Sequence, residues 1–272
     1  MNNRTGKLLL LLAVIFYSCE KIITVDLNDA DPQMVIEGAV SDQSGPYSVV
    51  LSKTGSYFEP TLVVPPVTKA LVTIADDQGN KDTLKEAQNG IYNSTKLKGV
   101  PGRTYTLTVT AEGKQYSAIS SMPGKVKIDS MFYAPAKSFG EEKGFDIYVM
   151  FKDPPEPGNY YRIRAYLNSH PPFSTYEVQG SYLLYQDKLV NGNEITERLR
   201  VRRGVAIGDT ITVELYSIDR ATYDFYSTLR DVISSDRSAS ALAPANPNTN
   251  LSNGSLGFFA AYTIDTRSLI LR

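Results

Sequence analysis

Residues 104–120 read TYTLTVTAEGKQYSAIS and contain the clearest structural pattern of the chain. Polar and apolar residues alternate over residues 104–110, and a second strand-like run, residues 115–120, follows a tight turn at Gly113. Alternation of this kind is typical of a strand with one buried face, and a short glycine-containing turn between two such runs is typical of a hairpin. The segment therefore predicts an antiparallel β-hairpin.

Shorter runs of the same kind lie on the N-terminal side of this hairpin. They cover residues 33–41, 48–52, 70–75 and 90–94. About seven strands, with a turn signal every ~8–12 residues and no helical pattern, are typical of a small β-sandwich. We therefore predict an immunoglobulin-like or transthyretin-like sandwich over residues 33–123. Residues 122–124, Met-Pro-Gly, are the predicted domain boundary, because few contacts cross linkers rich in proline and glycine.

The second half of the chain is also strand-like, with one exception. Strand candidates are residues 126–133, 145–151, 160–167, 181–185, 197–201, 210–218 and 268–271. Three prolines assign residues 153–158 to a loop, since proline donates no ladder hydrogen bond. The exception is a helix over residues 220–234, which begins behind Asp219, a good N-cap residue. Residues 124–272 are therefore predicted to form a second β-sandwich domain with one helix, so that the whole fold is all-β.

The predicted helix carries large side chains at a spacing of three and four residues. They are Tyr223, Tyr226, Leu229 and Ile233. Such a stripe covers one face of a helix and is typical of packing against a core. The alternative is that these aromatic side chains form a binding site.

The composition excludes several classes of protein. The 272 residues include 28 basic and 29 acidic residues, so the basic excess that is usual in nucleic-acid-binding proteins is missing. One cysteine and one histidine cannot build a disulfide framework or a Cys/His zinc cluster. The sequence contains no G-x-S-x-G elbow, no H-E-x-x-H motif, no phosphate-binding loop and no dinucleotide fingerprint. We therefore expect no cofactor, no bound metal and no nucleic-acid partner.

One stretch and one single residue resemble functional features only weakly. Residues 76–82 read DDQGNKD, which is similar to a calcium-binding loop, but the glycine stands at the fourth position instead of the sixth. A hairpin turn is therefore the preferred interpretation. His170, the single histidine, precedes two prolines in a predicted loop and is interpreted as a surface residue.

The N-terminus has the pattern of a secretion signal. Arg4 and Lys7 precede residues 8–16, which are nine residues without a polar side chain. Crossing a bilayer takes about 20 apolar residues, whereas about 7–15 suffice for the apolar core of a signal peptide. The stretch is therefore predicted to be part of a signal peptide and not a membrane span.

The only cysteine of the chain, Cys19, stands directly behind Ser18 at the expected cleavage point. This arrangement resembles a bacterial lipobox, in which the cysteine is acylated and the preceding bond is cut. The resemblance implies that residues 1–18 are a lipoprotein signal peptide, that Cys19 carries the lipid and that residues 19–32 form a tether. The alternative is a secretory signal that is cut elsewhere, with Cys19 incidental.

Two groups of residues are candidates for docking a partner. Arg198, Arg200 and Arg202 have a spacing of two, which places them on one face of a strand. They form either a docking patch for an anionic ligand or partner, or a solvated edge that prevents strand pairing. Residues 239–255 show no periodicity over about 17 residues, and loops of that length within compact domains are often functional. The candidate docking residues of this segment are Pro244, Asn246, Pro247 and Asn250; the alternative is that the segment only wraps the helix.

Several short motifs, taken together, resemble one known family. They are residues 19–21 (CEK), 35–38 (VIEG), 99–105 (GVPGRTY), 153–155 (DPP), 158–162 (GNYYR), 244–247 (PANP), Asn250 and residues 254–259 (GSLGFF). In this order they are similar to a Bacteroidota outer-membrane lipoprotein family of unknown function, whose members are typically encoded beside TonB-dependent receptors. The resemblance implies attachment to the outer membrane and an accessory role in substrate capture or receptor function. It implies no catalytic residue.

Three functions are consistent with the sequence. The first is a lipid-anchored, non-catalytic accessory or ligand-binding subunit of a TonB-dependent outer-membrane receptor. The second is a secreted adhesive or structural module, since immunoglobulin-like domains are common in such proteins. The third is a glycan or peptide hydrolase with a carboxylate pair or His170 as its base, which the near absence of histidine and cysteine disfavours. The sequence leaves the ligand open.

Overall fold

The structure is a computed structural model, and it describes residues 31–55, 64–136, 144–168, 183–189, 191–199, 205–235 and 246–272. The chain divides into two compact units, Met1–Asp31 and Pro32–Arg272. The predicted signal peptide, Cys19 and most of the predicted tether lie outside the described residues. Among the described residues, no helix combines the length and the apolar character needed to cross a membrane.

In its described residues the second unit contains fifteen β-strands, one 3-10 helix and one α-helix. The strands are β1 (Met34–Ser41), β2 (Ser48–Lys53), β3 (Leu71–Asp76), β4 (Lys81–Thr83), β5 (Lys85–Gln88), β6 (Ile91–Asn93), β7 (Thr104–Ala111), β8 (Lys114–Ser121), β9 (Ile128–Pro135), β10 (Phe145–Lys152), β11 (Tyr160–Leu167), β12 (Leu183–Gln186), β13 (Glu194–Leu199), β14 (Thr210–Ile218) and β15 (Leu256–Ile270). The 3-10 helix covers Asp187–Leu189, and the α-helix, α1, covers Arg220–Ser235. The predicted all-β fold with one helix is confirmed.

The largest sheet has eight strands in the order β12-β11-β14-β15-β1-β2-β6-β5. Its central strand β15 pairs with two different neighbours along its length. Its first half pairs in parallel with β1, from Val35 opposite Leu256 to Ser41 opposite Tyr262. Its second half pairs antiparallel with β14, starting with Thr263 opposite Ser217. One strand thereby joins the two halves of the chain in a single sheet.

Two smaller sheets complete two hydrophobic cores against the large sheet. The four-stranded sheet β4-β3-β7-β8 contributes Ile74 and Leu107 to the first core, where they meet Ile36 and Leu51 of the large sheet. The three-stranded sheet β13-β10-β9 contributes residues such as Phe151 to the second core, which also contains Tyr161, Ile163 and Leu215 of the large sheet. The second unit is therefore built of two β-sandwiches, and the eight-stranded sheet is a layer of both.

The residues of β15 alternate between the cores and the opposite face of the sheet. Phe259 and Ala261 belong to the first core, and Leu269 packs against the second. The side chain of Phe258 instead stacks on Phe225 of α1, with the ring centroids 4.2 Å apart. Because successive strand residues point to opposite faces, the two cores lie on one face of the large sheet and α1 lies on the other.

The local predictions around the hairpin and the helix are confirmed. Glu112 and Gly113 have φ angles of 51° and 74°, which is the positive-φ pair of a tight two-residue hairpin turn between β7 and β8. Asp219 caps α1, since its Oδ1 atom accepts a hydrogen bond of 2.9 Å from the backbone N–H of Thr222. The predicted helix over residues 220–234 is observed as Arg220–Ser235.

The sequence missed two short strands and most of a long one. Strands β4 and β5 are three and four residues long and carry mostly charged or polar side chains, so they have no apolar alternation to detect. The last strand was predicted over residues 268–271 but begins at Leu256. Phe259, Ala260 and Ala261 are all fully buried, because α1 and the first core cover both faces of β15. A strand buried on both faces reads as a continuous apolar run.

The domain boundary over residues 122–124 stays a prediction, and the two cores show how it relates to the packing. Met122 belongs to the first core and Val126 to the second. Phe259 and Ala261, however, follow both of them in the chain and pack in the first core. The first core is therefore completed by residues from the end of the chain.

The free edge of β8 is covered by residues 246–255, mainly through side chains. The amide of Asn250 donates to the carbonyl oxygens of Ile119 and Phe259, at 3.1 and 2.7 Å, and accepts from the N–H of Phe259 at 3.1 Å. Next to it, the N–H of Ser252 donates to the carbonyl oxygen of Ser117 at 2.8 Å. The segment thus takes the place of a further strand, which protects an edge that would otherwise pair with other chains.

We predict that Asn250→Ala destabilises the fold by about 1–3 kcal/mol, because it leaves the buried backbone groups of Phe259 without partners. Urea denaturation followed by circular dichroism measures this free energy of unfolding. Asn246→Ala is the control, since Asn246 is exposed and its substitution should change stability by less than about 0.5 kcal/mol. Equal stability of the two variants would show that the amide of Asn250 does not hold the edge.

Candidate functional site

The face of the large sheet that carries α1 holds a cluster of charged and aromatic side chains. Strand β11 places Arg162, Arg164 and Tyr166 at alternate positions, opposite Tyr216, Glu214 and Thr212 of β14. The intervening residues of β11 point into the second core. We call Arg162, Arg164, Tyr166, Glu214 and Tyr216 the arginine–tyrosine array.

The carboxylate of Glu214 is the centre of a hydrogen-bond network in the array. Its Oε2 atom accepts a bond of 2.7 Å from the hydroxyl of Tyr166 and one of 2.5 Å from the hydroxyl of Tyr216. The Nη1 atom of Arg164 donates to the hydroxyl oxygen of Tyr216 at 3.3 Å. Two strands thereby hold one carboxylate, two phenols and one guanidinium in a fixed arrangement.

Helix α1 contributes aromatic rings to the same face. The guanidinium carbon of Arg162 lies 4.0 Å from the ring centroid of Tyr226 and 5.5 Å from that of Tyr216. A guanidinium at this distance from an aromatic face is attracted by the negative charge density of the ring. The interaction therefore attaches the helix to the array.

The contacts of the helix agree with the prediction that its aromatic stripe packs on the fold. Tyr223 meets Tyr160 of β11 with a centroid distance of 5.1 Å, and Tyr226 meets Phe258 of β15 at 5.3 Å. Ile233, which was assigned to the same stripe, is 39% exposed. The stripe thus covers the sheet over the first part of the helix only.

Burial and Glu214 together raise the pKa of the phenols of the array. Burial raises the pKa of Tyr166 to about 12, and its hydrogen bond to the Glu214 carboxylate contributes to this increase. The pKa of Tyr216 is raised for the same two reasons. At neutral pH both hydroxyls are therefore hydrogen-bond donors, and neither serves as a base.

Residues 20–268 match a family model described as Domain of unknown function (DUF4249). The chain belongs to this family. The expected membership of a family of unknown function is confirmed at this level.

Two solved structures are similar to the chain at low identity. A segment of two fibronectin type-III domains from chicken tenascin is 14% identical, with 70% of this chain and 92% of that chain covered and a TM-score of 0.23. The CBD12 of CALX1.2 is 10% identical, with 86% and 100% covered and a TM-score of 0.19. Similarities at these TM-scores carry no argument about function. No curated protein matches the chain.

The structure places the predicted docking residues of this DUF4249 member in separate regions. Arg198 lies on β13, and its Nη1 atom is 3.5 Å from the Oδ2 atom of Asp146. Asn250 covers the edge of β8, while Asn246 is exposed and Pro247 is half-buried. Five other residues singled out in the sequence, Cys19, His170, Arg200, Arg202 and Pro244, lie outside the described residues. Docking through Arg198 or residues 244–250 stays a prediction.

The weak calcium-like stretch is a hairpin turn between β3 and β4, as preferred. The carboxylate of Asp76 accepts bonds from the backbone N–H groups of Gln78 and Asn80, at 3.1 and 2.8 Å, and pairs with Arg103 at 2.6 Å. Burial alone would raise the pKa of Asp76, but the hydrogen bonds from the side-chain amide of Asn80 and from these other groups lower it below its ordinary value. Across the described ranges, no group of three or more His, Cys, Asp and Glu side chains is placed to hold a metal ion.

Sequence reasoning missed the arginine–tyrosine array. The signal that was present is the stretch YYRIRAYL over Tyr160–Leu167, in which two arginines alternate with core residues. On its own, this pattern predicts only a strand with one buried face and one face in solvent. Only the register with β14 brings Arg164 opposite Glu214 and reveals the network.

We predict that Glu214→Gln lowers the pKa of Tyr166 from about 12, because the substitution removes the negative charge that its phenol faces. The phenolate absorbance is measured against pH for the wild type and for Glu214→Gln. Each titration is repeated with Tyr166→Phe added, and the difference between the two curves gives the titration of Tyr166 alone. If the midpoint of that difference is the same with Glu214 and with Gln at this position, the carboxylate does not control the phenol.

Proposed function

We propose that this protein is a lipid-anchored lipoprotein of the Bacteroidota outer membrane and a non-catalytic accessory or ligand-binding subunit of a TonB-dependent receptor. The observation that carries the proposal is the position of Cys19. It is the only cysteine, it follows the apolar residues 8–16 and Ser18, and the family match begins at residue 20, directly behind it. The region shared with the family thus starts where a lipidated mature chain would start.

The physics of membrane attachment agrees with a lipid on Cys19. One acyl chain holds a protein only marginally, whereas two or three hold it stably, at about 0.8 kcal/mol per buried CH₂ group. A lipobox cysteine receives such a set of chains. A lipid anchor at residue 19 would leave the whole matched region, residues 20–268, outside the bilayer.

The chemistry of the array supports binding in preference to proton transfer. Glu214 already accepts bonds from two phenols, and those phenols, whose pKa values are raised, stay protonated well above neutral pH. A general base needs a pKa near the working pH and an accessible proton acceptor. A fixed set of donors and acceptors is instead suited to holding a polar ligand in one orientation.

The receptor partnership rests on the resemblance to a family encoded beside TonB-dependent receptors. A protein held at the outer membrane by its N-terminus is confined to the surface in which such receptors lie. Confinement raises the effective concentration of the two partners, so even a weak contact would be occupied. This argument favours a receptor subunit over a freely secreted adhesive module.

We predict that Cys19→Ala moves the protein from the membrane fraction to the soluble fraction or to uncleaved precursor. The variant is expressed in a Bacteroidota host, and fractions are compared by immunoblot and by intact-mass measurement of the lipid. Asn246→Ala is the control and should fractionate like the wild type, because Asn246 lies far along the sequence from the lipobox. A Cys19→Ala protein that stays in the membrane fraction with normal processing would contradict the proposal.

The receptor partnership predicts that a TonB-dependent barrel co-purifies with the detergent-extracted native protein. The wild-type lipoprotein is purified from its membrane through a C-terminal tag, and the bound proteins are identified by mass spectrometry. A barrel recovered in near-equal amount is the expected result. Recovery of the lipoprotein without any barrel, under detergent conditions that preserve other receptor complexes, would contradict the partnership.

A further inference from the structure

The outer face of the large sheet continues beyond the part that α1 covers, and there it is rich in hydroxyl groups. Thr212 stands opposite Tyr166 on one side and Ser268 on the other, and Glu214 stands between Arg164 and Thr266 in the same way. These six residues form two rows across three strands, and we call them the hydroxyl face. Thr266 and Ser268 are exposed, and the other four are half-buried.

The two charged groups of the hydroxyl face retain hydrogen-bonding capacity. The guanidinium of Arg164 has five N–H donors, and among the described residues it makes one hydrogen bond, to the hydroxyl of Tyr216 at 3.3 Å. Both bonds that Glu214 accepts within the described residues go to its Oε2 atom, which leaves its Oε1 atom as an acceptor. A donor and an acceptor therefore stand side by side on neighbouring strands.

The neighbouring groups add hydroxyls and apolar surface. The hydroxyls of Thr212 and Ser268 form a pair at 2.8 Å, in which one oxygen donates and the other keeps a proton for a further partner. The ring of Tyr166 lies 5.4 Å from the guanidinium carbon of Arg164 and is half-buried. The face thus combines a flat aromatic ring with hydroxyl, guanidinium and carboxylate groups.

The two charged groups of the hydroxyl face, Arg164 and Glu214, carry opposite charges. An anion that bonds to Arg164 would also meet the carboxylate of Glu214, and a cation that bonds to Glu214 would meet the guanidinium of Arg164. A neutral ligand is repelled by neither group. Each hydroxyl of a sugar is both a donor and an acceptor, so one diol unit can accept from Arg164 while it donates to Glu214.

We propose that the hydroxyl face binds a neutral glycan, with Arg164 and Glu214 as its principal contacts. The proposal rests on the ligand-binding role proposed above and names the class of ligand. The sheet is open on this side at Thr266 and Ser268, which suits a chain-like ligand lying across the strands. Tyr166 offers its ring to the apolar face of a sugar unit.

Affinity gel electrophoresis of the detergent-solubilised full-length protein tests the proposal. Gels contain dextran, galactomannan, arabinan or laminarin as neutral probes and polygalacturonate as the acidic probe. We expect retardation by at least one neutral polysaccharide. Arg164→Ala and Glu214→Gln should each weaken that binding by about ten-fold or more, since each removes a charged hydrogen-bonding group.

The controls separate binding from folding. Arg220→Ala removes an arginine of α1 whose side chain is 77% exposed and should bind like the wild type. If Arg164→Ala does not fold, as judged by circular dichroism, Ser268→Ala and Thr266→Val at the exposed rim replace it and should each weaken binding.

Three results would overturn the glycan proposal: no retardation by any neutral probe, retardation by polygalacturonate alone, or binding by the folded variants that equals the wild type. A lipoprotein that still partitions with the membrane and still co-purifies with a barrel would then keep its proposed function and lose only this ligand class. Loss of membrane attachment or of the barrel contradicts the proposed function independently of the gels.

Discussion

The parallel pairing of β1 with β15 is the contact on which the rest of the fold depends. It joins the first and the last strand of the described body in register, from Val35 opposite Leu256 to Ser41 opposite Tyr262. The approach is so close that a Cβ atom at Gly257 would lie 2.1 Å from the carbonyl oxygen of Ile36, and Gly257 also has a φ of 93°. Only glycine fits there. Without this pairing the large sheet would separate into two parts, and the first core would lose Phe259 and Ala261 of β15.

Within the described ranges, side chains, and not backbone ladders, connect the small sheets to the large one. On the first sandwich, the N–H of Ala261 donates to the hydroxyl of Ser120, which donates to the carboxylate of Asp219, both at 2.7 Å. On the second, Asp265 accepts from the N–H of Ile128 at 2.8 Å. At these corners of the two sandwiches, the bonds satisfy the backbone N–H groups of Ala261 and Ile128. Asp219 also caps α1, so the corner and the helix that flanks the array are held by one carboxylate.

Those parts of the fold that have one solvated face could be predicted from the sequence. Tyr105, Leu107 and Val109 are fully buried, and the threonines between them point outward, so the alternation in residues 104–110 reports the strand directly. Residues 256–262 give no such signal because both faces are covered, and their pairing with β1 joins positions that no local pattern relates. The array escaped prediction for the same reason, since Arg164 and Glu214 belong to strands whose register is set by the whole sheet.

The two-residue period of β11 separates the chemistry of the candidate site from the stability of the core. Tyr161, Ile163 and Ala165 are buried in the second core, and Tyr161 is anchored there by a bond of 2.5 Å to the carboxylate of Asp153. Arg164 and Tyr166 point to the opposite face. A change of side chain at these outer positions therefore removes no atom from the core, and its cost is limited to the contacts of the array. A sheet built in this way can vary its outer face to suit a ligand while both cores stay the same.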